Sequence, residues 1–299
     1  SDVCSSDLRY TSLTAFNARY RQGRITATGS LVYTNVTEHV KIGDAPADFQ
    51  RLAPSFTVSL QPWQEQLLFL RLMYKSTFRM PTFNDLYYYR LGNRSLRPEK
   101  ANEYNMGITW SRSFSSFLNY LSVTVDGYYN DVTDKIVAFP TTYAWKMANY
   151  GKVHVTGMDA TLAAAASLGK NMVLVVSGGY TWQKAIDLTD ATSKSYKDQL
   201  PYTPKHSGNV SAVLEMPWVN VGYSIVGVSE RYSMSQNIPE NRIDGYMEHT
   251  ASLSRNFSFR HCKLRLQAEI INMTDTQYDV IKYYPMPGRS WRLTGTIEF

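Results

Sequence analysis

Apolar and polar residues alternate along almost the whole chain. The segments Leu121–Tyr129, Leu174–Trp182 and Trp291–Phe299 each place an apolar or small residue at every second position. In a β-strand this spacing puts apolar side chains on one face and polar side chains on the other. About thirteen such segments follow one another, and several approach ten residues, longer than the roughly five or six typical of soluble proteins. The pattern predicts an all-β fold.

The connections between these segments alternate between short and long. A transmembrane β-barrel sorts its connections in this way, with short periplasmic turns and long extracellular loops, whereas a soluble sandwich has no reason to. We therefore predict an antiparallel transmembrane β-barrel. The short connections lie near Gly23, Trp63, Ser115, Gly169, Trp218 and Ser258, and the long ones near Gly43, Leu91, Thr142, Ser193, Ile238 and Pro285.

Hydropathy and charge agree with this interpretation. The mean hydropathy is −0.33, and no run of eighteen apolar residues suggests a spanning helix. A β-barrel wall does not give a high mean hydropathy or a long apolar run, because the half of its residues that face the lumen are polar. The net charge is +6, but the basic residues are scattered, so nucleic acid is not predicted as a partner. The two cysteines, Cys4 and Cys262, do not make a disulfide framework.

The alternation also separates the charged residues from the apolar face. Because lipid cannot solvate charge, the charged side chains are expected to face the barrel lumen. The predicted lumenal set comprises Arg71, Asp126, Asp159, Glu215, Lys263, Arg265, Glu269, Arg292 and Glu298.

No catalytic constellation is found in the sequence. It contains no nucleophile elbow and no phosphate-binding glycine loop, so we assign no catalytic residue and no cofactor and do not predict an enzyme. The histidines lack the close spacing of a zinc site, and no metal site is assigned. They are His39, His154, His206, His249 and His261.

The longest connection, within Thr77–Asn105, is rich in aromatic and polar residues. Connections of this length are usually functional or disordered, and aromatic residues argue against disorder. Tyrosine and tryptophan offer large contact areas with a polar tip, which suits ligand binding. General membrane-girdle or loop packing is the alternative interpretation. The candidate ligand-binding residues are Tyr87, Tyr88, Tyr89 and Arg90 in this connection, with Trp145, Tyr283, Tyr284 and Met286 in others.

Two groups of residues in this connection resemble the paired boxes of TonB-dependent outer-membrane receptors. Met80 stands where the first box usually has alanine, and Arg94 where the second usually has proline. The family resemblance implies a barrel of about twenty-two strands with an N-terminal plug. The chain would then be the C-terminal part, about thirteen strands over residues 9–299, with the plug outside it and residues 1–8 a non-native leader. The matching residues are Phe78, Arg79, Pro81, Asn84, Leu86, Gly92, Asn93, Leu96, Pro98 and Glu99.

The resemblance also implies a function. Members of this family import scarce nutrients through the bacterial outer membrane, using energy delivered by a TonB-type coupling protein, here through the part expected upstream. The expected ligand is an iron complex such as a siderophore, haem, or cobalamin. Haem receptors carry a histidine between the two boxes. Here none lies between Pro81 and Gly92, although tyrosine can also ligate haem iron. A passive porin-like channel and a surface adhesin or structural barrel remain alternatives.

The C-terminal segment resembles the assembly signal of outer-membrane barrels. An exposed apolar edge strand invites pairing, which the barrel-assembly machinery would use. Outer-membrane lipid is a further expected partner of the chain as a whole. The residues that carry this resemblance are Trp291, Leu293, Ile297 and the terminal Phe299.

Overall fold

A computed structural model describes residues 8–40, 48–89, 91–115, 117–140, 145–169, 171–260 and 262–298. Cys4, Arg90, His261 and Phe299 lie outside these ranges, as do residues 1–7 of the expected leader. Leu8, the last residue of that expected leader, is the first residue of a paired strand, and the non-native origin of residues 1–8 stays a prediction.

Thirteen strands form one antiparallel sheet in which each strand pairs with its neighbours in the sequence. The thirteen strands and their antiparallel order confirm the predicted all-β fold. The strands are β1 (Leu8–Gln22), β2 (Ile25–His39), β3 (Phe49–Leu60), β4 (Leu67–Arg79), β5 (Glu99–Ser113), β6 (Leu118–Pro140), β7 (Trp145–Gly169), β8 (Met172–Asp187), β9 (His206–Glu215), β10 (Asn220–Val228), β11 (Tyr246–Ser258), β12 (Lys263–Ile271) and β13 (Ser290–Glu298).

The remaining elements are short and lie in the long connections. One α-helix, α1 (Phe83–Tyr87), follows β4, and a 3₁₀ turn spans Pro239–Asn241. No helix of the described residues is long and apolar enough to cross a membrane. Two small ladders pair Arg231–Tyr232 with Arg242–Ile243, and Asp279–Ile281 with Tyr284–Pro285.

Strands β4 and β5 extend further than the alternation predicts. Phe78 pairs with Lys100, and Arg79 pairs with Glu99. These first and last box residues therefore lie in paired strands, and the prediction that they belong to the loop is wrong. The alternation stops early because the ends of both strands carry polar and charged residues, whereas backbone pairing depends on register and not on side-chain polarity.

One face of the sheet carries a row of polar contacts. Arg71, Gly107, Asp126, Asp159 and Thr181 are successive partners across β4 to β8. The Arg71 guanidinium forms a salt bridge of 3.0 Å with the Asp126 carboxylate, directly over Gly107. The Thr181 hydroxyl donates to Asp159 Oδ1 at 2.7 Å. We call this the polar face of the sheet.

The other face is apolar and aromatic. Tyr74, Tyr104 and Tyr129 are successive partners on it, with ring centroids 5.2 and 6.2 Å apart. Below this row, toward the short turns, β6 presents Leu121, Val123 and Val125, and no charge lies between Leu121 and Tyr129 on this face. We call it the apolar face.

The buried core lies at the end of the sheet that carries the long connections, which we call the long-loop end. One cluster packs strand residues beneath Leu200, from the connection between β8 and β9. A second cluster joins Leu86 and Leu96, from the connection between β4 and β5, to Ile136 of β6. The fold is thus most tightly packed where connections fold over strands. The strand residues of the first cluster are Ala101, Val132, Val153, Val155 and Ala185.

Candidate functional site

The connection between β4 and β5, residues 80–98, is a folded unit that we call the box loop. Its helix α1 begins with a capping box, in which Thr82 and Asp85 each accept from the other's backbone N–H. The loop then turns back at Gly92, whose amide donates to the Tyr88 carbonyl at 2.7 Å. A Cβ at Gly92 would lie 2.7 Å from the Leu86 carbonyl oxygen, so this position requires glycine.

The charged box residues lie where the loop leaves the sheet. The Arg79 guanidinium donates to the Ile136 carbonyl at 3.1 Å and lies 3.5 Å from the carboxylates of both Asp85 and Glu99. Glu99 in turn accepts from the Ile136 N–H at 3.0 Å. Arg79 and Glu99 therefore hold the loop to the backbone of β6.

The rest of the second box holds the loop to β7. The Asn93 side-chain amide donates to the Met147 carbonyl at 3.0 Å, and the Met147 N–H donates to the Leu91 carbonyl at the same distance. The Arg97 N–H donates to Asn149 Oδ1 at 2.9 Å. Leu96 is buried against Ile136 of β6, so its side chain is not available to a ligand.

The opposite side of the box loop is held by the first strand. Arg9 of β1 donates to the Pro81 carbonyl at 2.6 Å, and its guanidinium lies 5.0 Å from the Phe83 ring centroid. The Arg9 side chain also donates to the buried Glu38 carboxylate at 2.7 Å. The box loop consequently bridges the long-loop end from β1 to β7.

The aromatic residues predicted to bind ligand do not gather at one place. Tyr87 packs against the cluster of Leu86, Leu96 and Ile136 within the box loop. Tyr88 and Tyr89 are 59% and 79% exposed, and Tyr283 and Tyr284 are 82% and 70% exposed. None of these, nor Met286, lines the cavity that Trp145 borders. Their role as ligand contacts stays a prediction.

Trp145 does line a cavity, which we call the vestibule pocket. Its volume is about 530 Å³. It lies at the long-loop end on the side of the polar face, and four connections or strand ends surround it. Its side chains include four aromatic residues and two cations, and no carboxylate lines it among the residues that the structure describes. These six lining residues are Lys135, Trp145, Tyr150, Tyr202, Arg231 and Tyr246.

Arg231 is the buried charge of the vestibule pocket. It is 4% exposed, and its Nη2 donates to the carbonyls of Asp279 and Val280, the latter at 3.1 Å. Its Nη1 is buried without a hydrogen-bond partner in the described part of the chain. A buried unpaired donor of a charged group is costly, so this nitrogen favours an additional acceptor or anion beside it.

The tyrosines around Arg231 are held in their neutral form. Burial raises the pKa of Tyr202, whose ring centroid lies 6.0 Å from that of Trp145. Burial, and then the hydrogen bond to Glu248, also raises the pKa of Tyr278. The Tyr278 ring stacks on Tyr246 at 3.9 Å between centroids. Of these two residues, Tyr202 lines the pocket and adds an aromatic wall with a neutral hydroxyl, whereas the Tyr278 hydroxyl donates to Glu248 and its ring supports Tyr246 from behind.

Sequence reasoning does not find most of this pocket. The alternation places Tyr150 in a long strand and Tyr202 in a polar connection, and it gives Arg231 no role. No local motif joins these positions, since each comes from a different connection or strand end. The described residues contain no group of three or more potential metal ligands.

The C-terminal strand β13 pairs with β12 and forms one edge of the sheet. Trp291, Leu293 and Ile297 on it are 75%, 81% and 56% exposed. This exposed apolar edge suits pairing with another strand. The assembly role of these residues, and of Phe299 beyond the described range, stays a prediction.

The sheet, its polar and apolar faces and its sorted connections define a part of a transmembrane β-barrel. Residues 5–273 match the family described as TonB dependent receptor-like, beta-barrel, and the chain belongs to that family. Vitamin B12 transporter BtuB of Photobacterium profundum is 25% identical over 230 residues, which cover 74% of this chain and 34% of that protein. BtuB of Vibrio vulnificus is 26% identical over 231 residues, which cover 74% of this chain and 33% of that protein.

Solved structures share the fold at lower identity. Ferric citrate transporter FecA in its unliganded form has a TM-score of 0.76 and 15% identity, over 97% of this chain and 45% of that chain. Copper transporter OprC has a TM-score of 0.72 and 15% identity, and the match covers 97% of this chain and 47% of that chain. The chain spans about a third of the length of the two BtuB relatives and less than half of these two structures.

Proposed function

We propose that this chain is part of an energy-coupled receptor of the bacterial outer membrane that takes up a scarce nutrient. Membership of the receptor-like barrel family supports this proposal. The names of its relatives, which are transporters of vitamin B12 and of ferric citrate, suggest cobalamin or an iron complex as the ligand. Energy would come from a TonB-type protein that contacts a part of the receptor outside this chain.

The observation that carries the proposal is the vestibule pocket. It is lined by aromatic side chains and lies at the end of the sheet where the predicted extracellular loops gather. Its size falls within the range of small-molecule sites, and its polar groups are few and fixed in position. A passive channel would not need a buried, unpaired Arg231 Nη1 beside such walls.

The test uses the complete receptor in a bacterial strain that lacks other uptake routes for the two probes, ferric citrate and cyanocobalamin. The Arg231→Met variant keeps the apolar stem and removes the guanidinium. We expect at least one probe to be taken up by the natural receptor and its uptake to fall about tenfold in the variant, because a charge-assisted hydrogen bond is lost. Arg242→Met is the control, since Arg242 is exposed and lies outside the pocket.

The alternatives predict different results. Uptake that persists when the proton gradient is dissipated would indicate a porin-like channel. Binding of a surface without uptake of either probe would indicate an adhesin. Energy-dependent uptake that is equal in the Arg231 and Arg242 variants would leave the receptor intact but would remove the vestibule pocket as its ligand site.

A further inference from the structure

The apolar face carries a notch that the uptake function does not use. Tyr180, Gly208, Gly227 and Met247 are successive partners across β8, β9, β10 and β11. The two central glycines have no side chains, so the walls formed by Tyr180 and Met247 stand about 14 Å apart, three strand spacings. The resulting space, which we call the glycine notch, has a volume of about 660 Å³.

The notch faces away from the polar face and therefore away from the vestibule pocket. Its floor lies at Gly208 and Gly227, and Val210 and Ile225 line its lower part, toward the short turns. Successive residues of a strand face opposite sides of the sheet. Thr181, next to Tyr180, and its partner Asp159 therefore lie on the polar face. No charged side chain lines the notch within the described ranges. In a transmembrane barrel, this surface meets lipid.

A hydrogen-bonded pair stands at the rim of the notch. The Tyr180 hydroxyl lies 2.7 Å from His206 Nδ1. When the hydroxyl donates to Nδ1, the imidazole proton is on Nε2, which can then donate to another acceptor. His206 sits two residues nearer the long-loop end than Gly208, the partner of Tyr180. Exposed Lys184 lies further toward that end, on the same face of β8.

The same diagonal arrangement recurs along the sheet. His154 lies two residues nearer the long-loop end than Thr156, the partner of Tyr129, and His249 stands in the same relation to Tyr223. The Tyr223 hydroxyl lies 2.7 Å from His249 Nδ1, and the Tyr129 hydroxyl lies 3.2 Å from His154 Nδ1. A fourth pair, Tyr10 with His39, has ring centroids 6.0 Å apart.

Four of the five histidines of the chain therefore belong to this row of Tyr–His pairs. Amphipathic aromatic residues collect at the level where lipid chains meet headgroups. Imidazole adds a hydrogen-bond donor at the same level. The row thus marks an interface with membrane lipid. The glycine notch is lined by both members of one pair, Tyr180 and His206, whereas a second cavity of about 540 Å³ is lined by Tyr129 without His154.

We propose that the glycine notch binds one acyl chain of a membrane lipid whose anionic headgroup accepts a hydrogen bond from His206 Nε2. The apolar lining suits the chain, and Lys184 adds positive charge on the headgroup side. The inference rests on the proposed placement in the outer membrane and is independent of the nutrient.

The test fills the notch without disturbing the sheet. A Cβ at Gly227 would meet only Met247, with Cγ at 3.7 Å and Cε at 3.9 Å, which are ordinary contacts. Gly227→Leu therefore occupies the space that the acyl chain would use. Gly29→Leu is the matched control, because Gly29 lies on the apolar face of β2 and a Cβ there meets nothing within 4 Å.

The complete receptor is reconstituted in nanodiscs of phosphatidylglycerol or phosphatidylcholine, extracted in mild detergent and analysed by native mass spectrometry for retained lipid. We expect the natural protein and Gly29→Leu to retain phosphatidylglycerol, and Gly227→Leu to retain about tenfold less. His206→Phe keeps an apolar ring but has no donor, so it should retain both lipids equally where the natural protein prefers phosphatidylglycerol.

Equal retention by the natural protein and Gly227→Leu would overturn the proposal. A protein segment that occupies the notch in place of lipid, detected as a co-purifying chain lost from Gly227→Leu, would overturn it as well. A receptor that does not enter the nanodiscs at all would refute the membrane placement itself, and that result is distinct from a loss of lipid confined to one variant.

Discussion

The box loop should open locally when its buried leucine is shortened. Leu86 of α1 is 4% exposed and packs with Leu96 and Ile136. Full burial of a leucine contributes about 1.5–3 kcal/mol, and a Leu→Ala change adds a cavity term that brings typical losses to about 2–5 kcal/mol. For Leu86→Ala we take about 3 kcal/mol, which corresponds to a roughly 150-fold rise in the population of the open loop.

Hydrogen exchange in the complete receptor measures this opening at individual amides. Two amides report the opening. The Gly92 N–H donates to the Tyr88 carbonyl within the loop, and the Met147 N–H of β7 donates to the Leu91 carbonyl and so holds the loop to the sheet. Both should exchange about two orders of magnitude faster in Leu86→Ala, while the central amides of the sheet stay protected, because loops open independently of the strands that carry them.

The control lies two residues away in the same loop. Tyr88 is 59% exposed, so Tyr88→Ala should change stability by no more than about 0.5 kcal/mol and exchange by less than about threefold. Exchange in Leu86→Ala that changes as little as in this control would refute the reasoning. Uniform acceleration over the whole sheet would also refute it, because the loop would then not be a separate unit.

Two further substitutions test the charged contacts. Gly107→Ala places a Cβ 2.0 Å from Asp126 Oδ1 and must displace this carboxylate from Arg71. We expect the free energy of unfolding, measured by urea denaturation, to fall by about 1–3 kcal/mol. An unchanged unfolding midpoint would contradict this prediction. Arg9→Met leaves the buried Glu38 carboxylate without its cation. We expect the local free energy of opening to fall by about 3 kcal/mol, measured as faster hydrogen exchange of the box-loop amides. Unaltered protection of these amides would contradict this prediction.

The strands of the sheet could be predicted because period-two alternation is a local signal. Even Ala163–Ala166, whose composition suits a helix, lies within the long strand β7, where partners on both sides supply the backbone hydrogen bonds. The ends of strands were less predictable. Residues such as Arg79 and Glu99 continue the pairing after the apolar pattern has stopped, because register is inherited from the rest of the strand.

The candidate ligand pocket could not be predicted in the same way. The sequence indicates a ligand site at Trp145 but not at Tyr202, Arg231 or Tyr246. Tyr202 comes from the connection after β8, Arg231 from the connection after β10, and Tyr246 is the first residue of β11. Such convergence depends on contacts between residues far apart in the sequence, and no periodicity or short motif records it.

The hairpin of β6 and β7 connects the box loop to the vestibule pocket. Its strands have 23 and 25 residues and are the longest in the sheet. Ile136 faces the box loop, whereas the adjacent Lys135 and Val137 line the pocket. The Lys135 ammonium lies 4.0 Å from the carboxylate of Glu99, a box residue. The box loop therefore supports the opposite side of a wall that the pocket uses.

This arrangement separates two roles within one end of the sheet. The box residues contact each other and the backbone of the hairpin, so changing one of them should alter the shape and mobility of the wall. Arg231 and Tyr202 lie outside the boxes and line the pocket. Barrels that share the boxes can thus share a loop architecture and still differ in ligand if, as we propose, the ligand binds in the vestibule pocket, which is lined by other residues.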